Sequence, residues 1–345
     1  MPSLEPAGSQ LRLALVGCGV VGRLHAQRLA VDPRVELAVC CDPDHSTAQR
    51  LRDECAPRAA VETDVRRALA GHQVRAVVIC SPTLAHYEQC RLAFDLGLDV
   101  LCEKPLCGQR DEIVDLIERS RSMNRLLVVS YQRRYKAPYI TARRELTRRA
   151  DWYGPLRQVH IFVCERWQQT IQGTWRDDPR VGAGYFGDAG SHQIDVVNFI
   201  TGQRPTAVLA VSDPRGSQVE IVTQAFARLS GGAGLMAHFV GDAHHWREDI
   251  HFHCRDADLL LRSEKLFRAQ KNEIEEILDL EPPSSPDGAL VDAMVDGAST
   301  SSPAEIALPM HDWTVAVLRS IREGRWVDCA AWLPPSSVAH ESIVK

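Results

Sequence analysis

"LALVGCGVVGRLHAQRLA", residues 13–30, decides the fold. An apolar run over 11–16 stops at Gly17, and Gly17, Gly19 and Gly22 then spell G-x-G-x-x-G ahead of a helix-like segment. Glycines are common in turns, so the triplet alone says little. Between a strand and a helix it describes a phosphate-binding turn. The first glycine permits the tight bend, the second lets a pyrophosphate approach the backbone, and the third lets helix and strand pack. The helix N-terminus then meets the phosphate charge.

The neighbouring chain agrees. Short apolar runs over 35–41, 75–80, 99–103 and 126–131, with a weak strand near 59–61, alternate with amphipathic stretches over 84–97 and 110–122. Apolar strands without polar alternation, separated by helices, belong to a parallel sheet covered on both faces. The expectation is an α/β, doubly wound Rossmann domain over residues 9–130, followed by an α+β domain over 131–345.

The second strand ends in Asp42, about 20 residues beyond the third glycine, where a carboxylate accepts hydrogen bonds from both ribose hydroxyls of NAD. It would repel the extra phosphate of NADP, and Pro43 and Asp44 offer no arginine to receive one. NAD is therefore preferred over NADP. The competing reading is a surface aspartate at a strand end. Two more loops fall beyond the carboxyl ends of strands, "CSPTLAHYEQC" (80–90) and "LCEKPL" (101–106). Lys104 precedes a proline, so its backbone is extended and its peptide is a candidate for the cis form. A lysine held there can orient a substrate hydroxyl and stabilise charge developing on its oxygen.

"GCGVVGRLH", "SPTLAHYE", "EKPL" and "GAGYFGDAGSHQIDVVNFITG" (182–202), in this order, resemble the glucose–fructose oxidoreductase/inositol dehydrogenase (Gfo/Idh/MocA) family over roughly residues 11–260. The resemblance implies a nicotinamide-binding domain and a second domain built on a large, mostly antiparallel open sheet. It implies an NAD(P)-dependent dehydrogenase or reductase acting on CH–OH groups of sugars, inositols and related polyols. It assigns Lys104, Asp188 and His192 to catalysis. Together with the loop placement, it brings Gly17, Gly19, Val20, Val21, Gly22, Asp42, Ser81, Pro82, Thr83, His86, Glu103 and Lys104 to the cofactor. The family's three glycines are here Gly182, Ala183 and Gly184.

In the second domain, 156–165, 219–229, 233–240 and 247–254 read as strands, and "KAPYITARRELTRRA" reads as a helix. In 182–202, Ser191 is a plausible N-cap of "HQIDVVNFI", which places His192 in a first turn. There the helix dipole would disfavour the imidazolium and leave the ring able to accept a proton. Asp188 would fix its tautomer or touch substrate, and Asp195 falls on the same face. Trp175 and Arg176 of "TWRDDPR" suit polyol recognition, a flat apolar face and a fork of donors, beside Lys104, Asp188 and His192. The mechanism expected is direct hydride transfer, with His192 taking the hydroxyl proton. Residues 281–308, rich in Pro, Ser, Asp and Gly, read as irregular.

Composition narrows the rest. The chain has 345 residues, 45% hydrophobic and 25% charged, and a formal charge of −5, which argues against nucleic acid as a partner. The basic run 133–149 reads as a solvated helix face. Eleven cysteines without C-x-x-C fit free core thiols and a reducing, cytoplasmic setting. The start, "MPSLEPAGSQ", is no signal peptide, and no apolar run spans a bilayer. His244, His245, His251 and His253 cluster without completing a metal pattern, so no metal is expected. His25 reads as a packing or cofactor-loop residue, and Trp313 and Trp326 as packing around a late helix. The partners expected are a small polyol or sugar and further copies of the chain, as a homodimer or homotetramer paired through the open sheet. Two other readings stand beside the dehydrogenase. One is a redox-neutral sugar enzyme that oxidises its substrate transiently during bond cleavage. The other is a non-catalytic nucleotide sensor, which would have no need of Lys104, Asp188 and His192.

Overall fold

The computed structural model describes residues 10–179 and 184–329. They fall into two units: one runs through Ala137 and includes Pro282–Leu308, the other runs Pro138–Glu281 and resumes at Pro309. In the first, β1 (Leu11–Val16), α1 (Val20–Ala30), β2 (Val35–Cys41), α2 (His45–Cys55), β3 (Ala60–Glu62), α3 (Val65–Gly71), β4 (Ala76–Ile79), α4 (Thr83–Asp95), β5 (Asp99–Cys102), α5 (Arg110–Ser122) and β6 (Leu127–Val129) alternate along the chain. The strands form one parallel sheet in the order β3-β2-β1-β4-β5-β6. Leu13, Leu15, Val77, Ile79, Val100 and Leu101 have no exposed surface, as strands sandwiched between helices require. The order reverses between β1 and β4, which opens a crevice at the carboxyl edge of the sheet.

The turn after β1 shows which glycines the fold itself needs. Gly17 has φ +90°, and a Cβ there would lie 2.6 Å from the backbone of Cys80 and Ser81. A Cβ on Gly22 would lie 2.0 Å from the Gly17 carbonyl oxygen. Gly19 differs: nothing lies within 4 Å of its added Cβ.

The second unit begins with α6 (Ala137–Arg148), α7 (Ala150–Tyr153), β7 (Leu156–Cys164), α8 (Trp167–Ile171) and α9 (Ser191–Thr201). Then come β8 (Pro205–Asp213), β9 (Val222–Leu229), β10 (Gly234–Val240), β11 (Arg247–Cys254), β12 (Asp258–Arg262), β13 (Lys265–Gln270) and β14 (Glu273–Glu276). With β15 (Val327–Asp328), the strands of this unit make a sheet ordered β14-β13-β12-β11-β7-β10-β9-β8-β15, antiparallel except where β10 runs beside β7. Burial alternates along β9 and β10, so one face holds the core and the other does not. On the core face lie Ile161, Ala225, Phe239 and Ile250. That face is covered by α6 and α9, whose Tyr139 and Gln193 both donate to the buried Glu248 carboxylate on β11. The opposite face carries His160, Phe162, Phe226, His238, His251 and His253, with Phe226 44% exposed.

Residues 281–308 are not irregular. They contain α10 (Pro286–Asp296), started by Ser285, whose hydroxyl accepts the Gly288 amide at 2.9 Å, and ended by Gly297 in the left-handed region. The composition misled because Ser, Pro and Gly here delimit a helix rather than dissolve one. Leu290 and Val291 are wholly buried among Leu13, Leu29 and Val35, and burying two such side chains contributes about 3–6 kcal/mol. The chain continues as α11 (Ala307–Glu323) and β15. Trp313 is buried against Phe186, but Trp326 is exposed beneath the Arg228 guanidinium rather than packed into a core.

The basic run 133–149 is only partly a solvated face. Arg134 is buried and donates to the Ser301 carbonyl, Arg143 stacks on Phe199, and Arg144 pairs with Glu281. All eleven cysteines are free thiols. Among the described residues no helix is long and apolar enough to cross a membrane.

Candidate active site

In the first unit every residue expected at the cofactor lies on the carboxyl edge of the parallel sheet. Gly17–Gly22 follow β1, Asp42 follows β2, Ser81–Thr83 follow β4, and Glu103 and Lys104 follow β5. Asp42 closes onto the glycine turn: its Oδ2 accepts the Cys18 amide at 2.9 Å and its Oδ1 the Asp44 amide at 3.0 Å. No side chain caps α1, so its first amides face the crevice edge, flanked by the exposed Val20 and Val21. The space beside Gly19 is open, so the fold itself does not require a glycine there, and the gap has the character of a turn that a pyrophosphate could approach. These residues fit a nicotinamide dinucleotide.

The loops after β4 and β5 are joined by His86. Its ring is buried, with Nδ1 3.0 Å from the Pro105 carbonyl oxygen and Nε2 2.7 Å from that of Ser81. Burial holds its pKa below the usual imidazole value, against the pull of those carbonyls. The ring thus stands between the two loops, each nitrogen beside a backbone carbonyl. Ser81 donates to Gln89 at 2.6 Å, Pro82 caps α4, and Thr83 begins it. The Lys104–Pro105 peptide is cis.

In the second unit Asp188 and His192 belong to one unbroken helical run. A π-helical turn, Phe186–Gly190, leads directly into α9, and Gly190 and Ser191 both have right-handed helical angles. Ser191 is therefore not an N-cap. Its hydroxyl donates instead to the Asp188 carbonyl at 3.4 Å. His192 is not in a first turn either, so the helix-dipole argument for its neutrality does not hold. What the sequence did indicate is the spacing: four residues place Asp188 and His192 on one side of the run. A π-turn at that point is a common device of functional sites.

Asp188 is held by two neighbours. Trp167 Nε1 donates to its Oδ2 at 3.2 Å, and the Arg176 guanidinium lies 3.5 Å from the same oxygen. Trp167 was not singled out in the sequence, because "ERWQQT" carries no motif and the contact spans 21 residues. His192 is 8% exposed and Asp195 1%. Gln193, next to His192, is anchored to Glu248 at 2.5 Å. Nearby, the Glu220 carboxyl packs on Gly184, where an added Cβ would lie 2.0 Å from its carboxyl carbon. Burial pushes Glu220 up to about 7. Gly182, Ala183 and Arg180, and the side chain of Trp175, lie outside the described residues. Among the described residues no group of His, Cys, Asp or Glu is arranged to hold a metal ion.

The first unit has the strand order and glycine turn of a dinucleotide-binding Rossmann domain, and the second is built on a mixed sheet; the two together define a class of fold. Residues 11–131 match the oxidoreductase family with an NAD-binding Rossmann fold, and residues 144–258 the GFO/IDH/MocA C-terminal domain. The chain belongs to the Gfo/Idh/MocA family. It is 25% identical over 56% of its length to D-glucoside 3-dehydrogenase of Escherichia coli, covering 55% of that protein. It is 32% identical over 60% of its length to inositol 2-dehydrogenase of Streptomyces avermitilis, covering 57% of it. The chain thus spans about half the length of the curated relatives it matches. The fold is shared with the WlbA dehydrogenase from Bordetella pertussis, solved with NADH and UDP-GlcNAcA, at a TM-score of 0.80 and 20% identity, over 94% of this chain and 99% of that one.

Proposed function

We propose that the protein is an NAD-dependent dehydrogenase that moves hydride between the nicotinamide and a secondary alcohol or carbonyl of a sugar, inositol or related polyol. The observation that carries NAD over NADP is the Asp42 carboxylate, fixed by two backbone amides beside the open Gly19 turn. A 2′-phosphate would meet that charge, with Asp44 beside it and no arginine in Pro43 or Asp44 to receive it.

Bound nicotinamide supplies the hydride acceptor or donor. His192 takes the hydroxyl proton as hydride leaves the carbon and returns it in the reverse reaction. Asp188, itself oriented by Trp167 and Arg176, aligns the imidazole and substrate. Lys104 donates to the substrate oxygen and stabilises its growing charge. Arg176 and Trp175 contribute to polyol recognition. The protein acts in the cytoplasm, which eleven free thiols support, and assembles as a homodimer or homotetramer through the open face of the nine-stranded sheet, where exposed Phe226 supports burial against another copy.

The test is the absorbance of reduced nicotinamide. The protein is incubated with NAD, then NADP, against inositols, aldoses, sugar acids and amino sugars, beside a Lys104→Ala control. NADH formed with one substrate group and absent in the control supports the reading. NAD binding without net reduction across the panel turns it toward redox-neutral chemistry.

A further inference from the structure

Beneath the Lys104 loop lies a buried charged cluster for which the proposed chemistry has no direct use. His25, on α1 three residues after Gly22, is 1% exposed. Its Nδ1 is 2.6 Å from Asp287 Oδ1 and its Nε2 3.0 Å from Glu103 Oε1. Arg28 Nε donates to the other Asp287 oxygen at 2.5 Å while its Nη2 lies 3.1 Å from His25 Nδ1, and the backbone amide of Lys104 donates to the other Glu103 oxygen at 3.2 Å. Four segments therefore meet at one ring: α1, the end of β4 through Cys80, the loop after β5, and α10.

The chemistry selects the ring's state. A neutral imidazole has one N–H, so one of its nitrogens would present a lone pair to a carboxylate. An imidazolium donates to both. Two cations, His25 and Arg28, then balance two anions, Glu103 and Asp287, and no buried charge is left uncompensated. Burial opposes the ring's charge, but Cys80, Asp287 and Glu103 outweigh it and lift the pKa well above the usual imidazole value. Glu103 and Asp287 move the other way, lowered by His25 against burial.

We propose that His25, bridging Asp287 and Glu103, is a positioning residue that fixes the Glu103–Lys104 loop, so that Lys104 is aimed by a contact beneath it. The consequence for catalysis rests on the dehydrogenase reading; the positioning itself does not. Glu103 has one oxygen on His25 and the other on the amide of the residue that follows it. Any swing of that carboxylate therefore turns the backbone from which Lys104 projects. Asp287 enters from α10, which makes the returning segment part of the same device.

The test uses the five lysines, Lys104, Lys136, Lys265, Lys271 and Lys345. Reductive ¹³C-methylation of the full chain gives a small set of methyl-lysine NMR signals, with Lys104 assigned by its loss in Lys104→Arg. In His25→Gln, which keeps a donor but loses the charge, the Lys104 signal should shift and broaden while the other four stay. For any polyol turned over, kcat should fall about tenfold or more while KM for NAD moves less than about threefold. A folded His25→Gln protein with an unmoved Lys104 signal overturns the proposal; a moved signal with unchanged kcat overturns its consequence for catalysis. Should His25→Gln not fold, Asp287→Asn carries the same expectations, since it keeps shape and an acceptor for Arg28. Wild-type protein that turns over no polyol, with the Lys104 signal still displaced in the variant, sinks the dehydrogenase reading and leaves the positioning intact.

Discussion

The carboxylate of Asp42 accepts the amide of Cys18, 24 residues earlier in the chain, at 2.9 Å. One side chain thereby fixes the middle of the glycine turn, and on the proposed reading its charge meets the ribose. Asp42→Asn keeps an acceptor and removes the charge. We expect the ratio of kcat/KM with NAD to that with NADP to fall by about 10- to 100-fold, the worth of a charged hydrogen bond. Steady-state kinetics with both cofactors checks it; an unchanged ratio would return Asp42 to a purely structural role.

Gly19 and Gly22 should part company on substitution. Gly19→Ala meets open space, so thermal stability should stay within about 0.5–1 kcal/mol of wild type while NAD affinity drops. Gly22→Ala would drive a methyl into the Gly17 carbonyl and should destabilise the unit by several-fold more, of order 2–3 kcal/mol. Calorimetry with and without NAD separates the two; equal loss of stability would contradict the open space at Gly19.

On the second unit, His192→Gln should lower kcat by about 10²–10⁴-fold and leave NAD affinity unchanged, as for loss of a general base. Trp167→Phe retains a ring to pack on Tyr185, 5.4 Å away, but removes the donor to Asp188. Its kcat should fall about tenfold, the value of one hydrogen bond to a carboxylate. Wild-type turnover in Trp167→Phe would mean that the tryptophan packs without orienting Asp188.

Stability should depend on pH through Glu220. Burial lifts its folded-state pKa from 4.5 to about 7, so the folded chain binds the proton more tightly than the unfolded chain. That contribution is complete below 4.5 and is lost as pH rises through 7. Glu220→Gln stays neutral, so its urea stability relative to wild type should rise by about 1–3 kcal/mol between pH 4.5 and pH 8. A difference that stays flat over that range would place Glu220 in solvent.

The sequence was most legible where function and fold depend on neighbours in the chain. β1, Gly17–Gly22 and Asp42 could be read because strand, turn and helix are consecutive and each glycine has its own steric reason. Ser191 was misread because a capping residue and a helix-interior residue share a composition; only the π-turn before it reveals that the helix has already begun. The 281–308 segment was misread because its helix is stabilised by burial of Leu290 and Val291 in a distant core, not by its own periodicity. Trp167 and Asp287 escaped notice for a related reason. The first reaches Asp188 across 21 residues and the second reaches His25 across 262, and no local pattern records such partners.

The return of residues 282–308 to the first unit sets an order of events during synthesis. Translation at about 5–20 residues per second leaves roughly 7–30 s between the emergence of Ala137 and that of Pro282. Through that interval the nascent nucleotide-binding unit lacks Asp287, Leu290 and Val291, and the apolar surface that α10 will cover stands open. The nucleotide-binding unit thus leaves the ribosome ahead of its companion and cannot finish folding until most of that companion has followed.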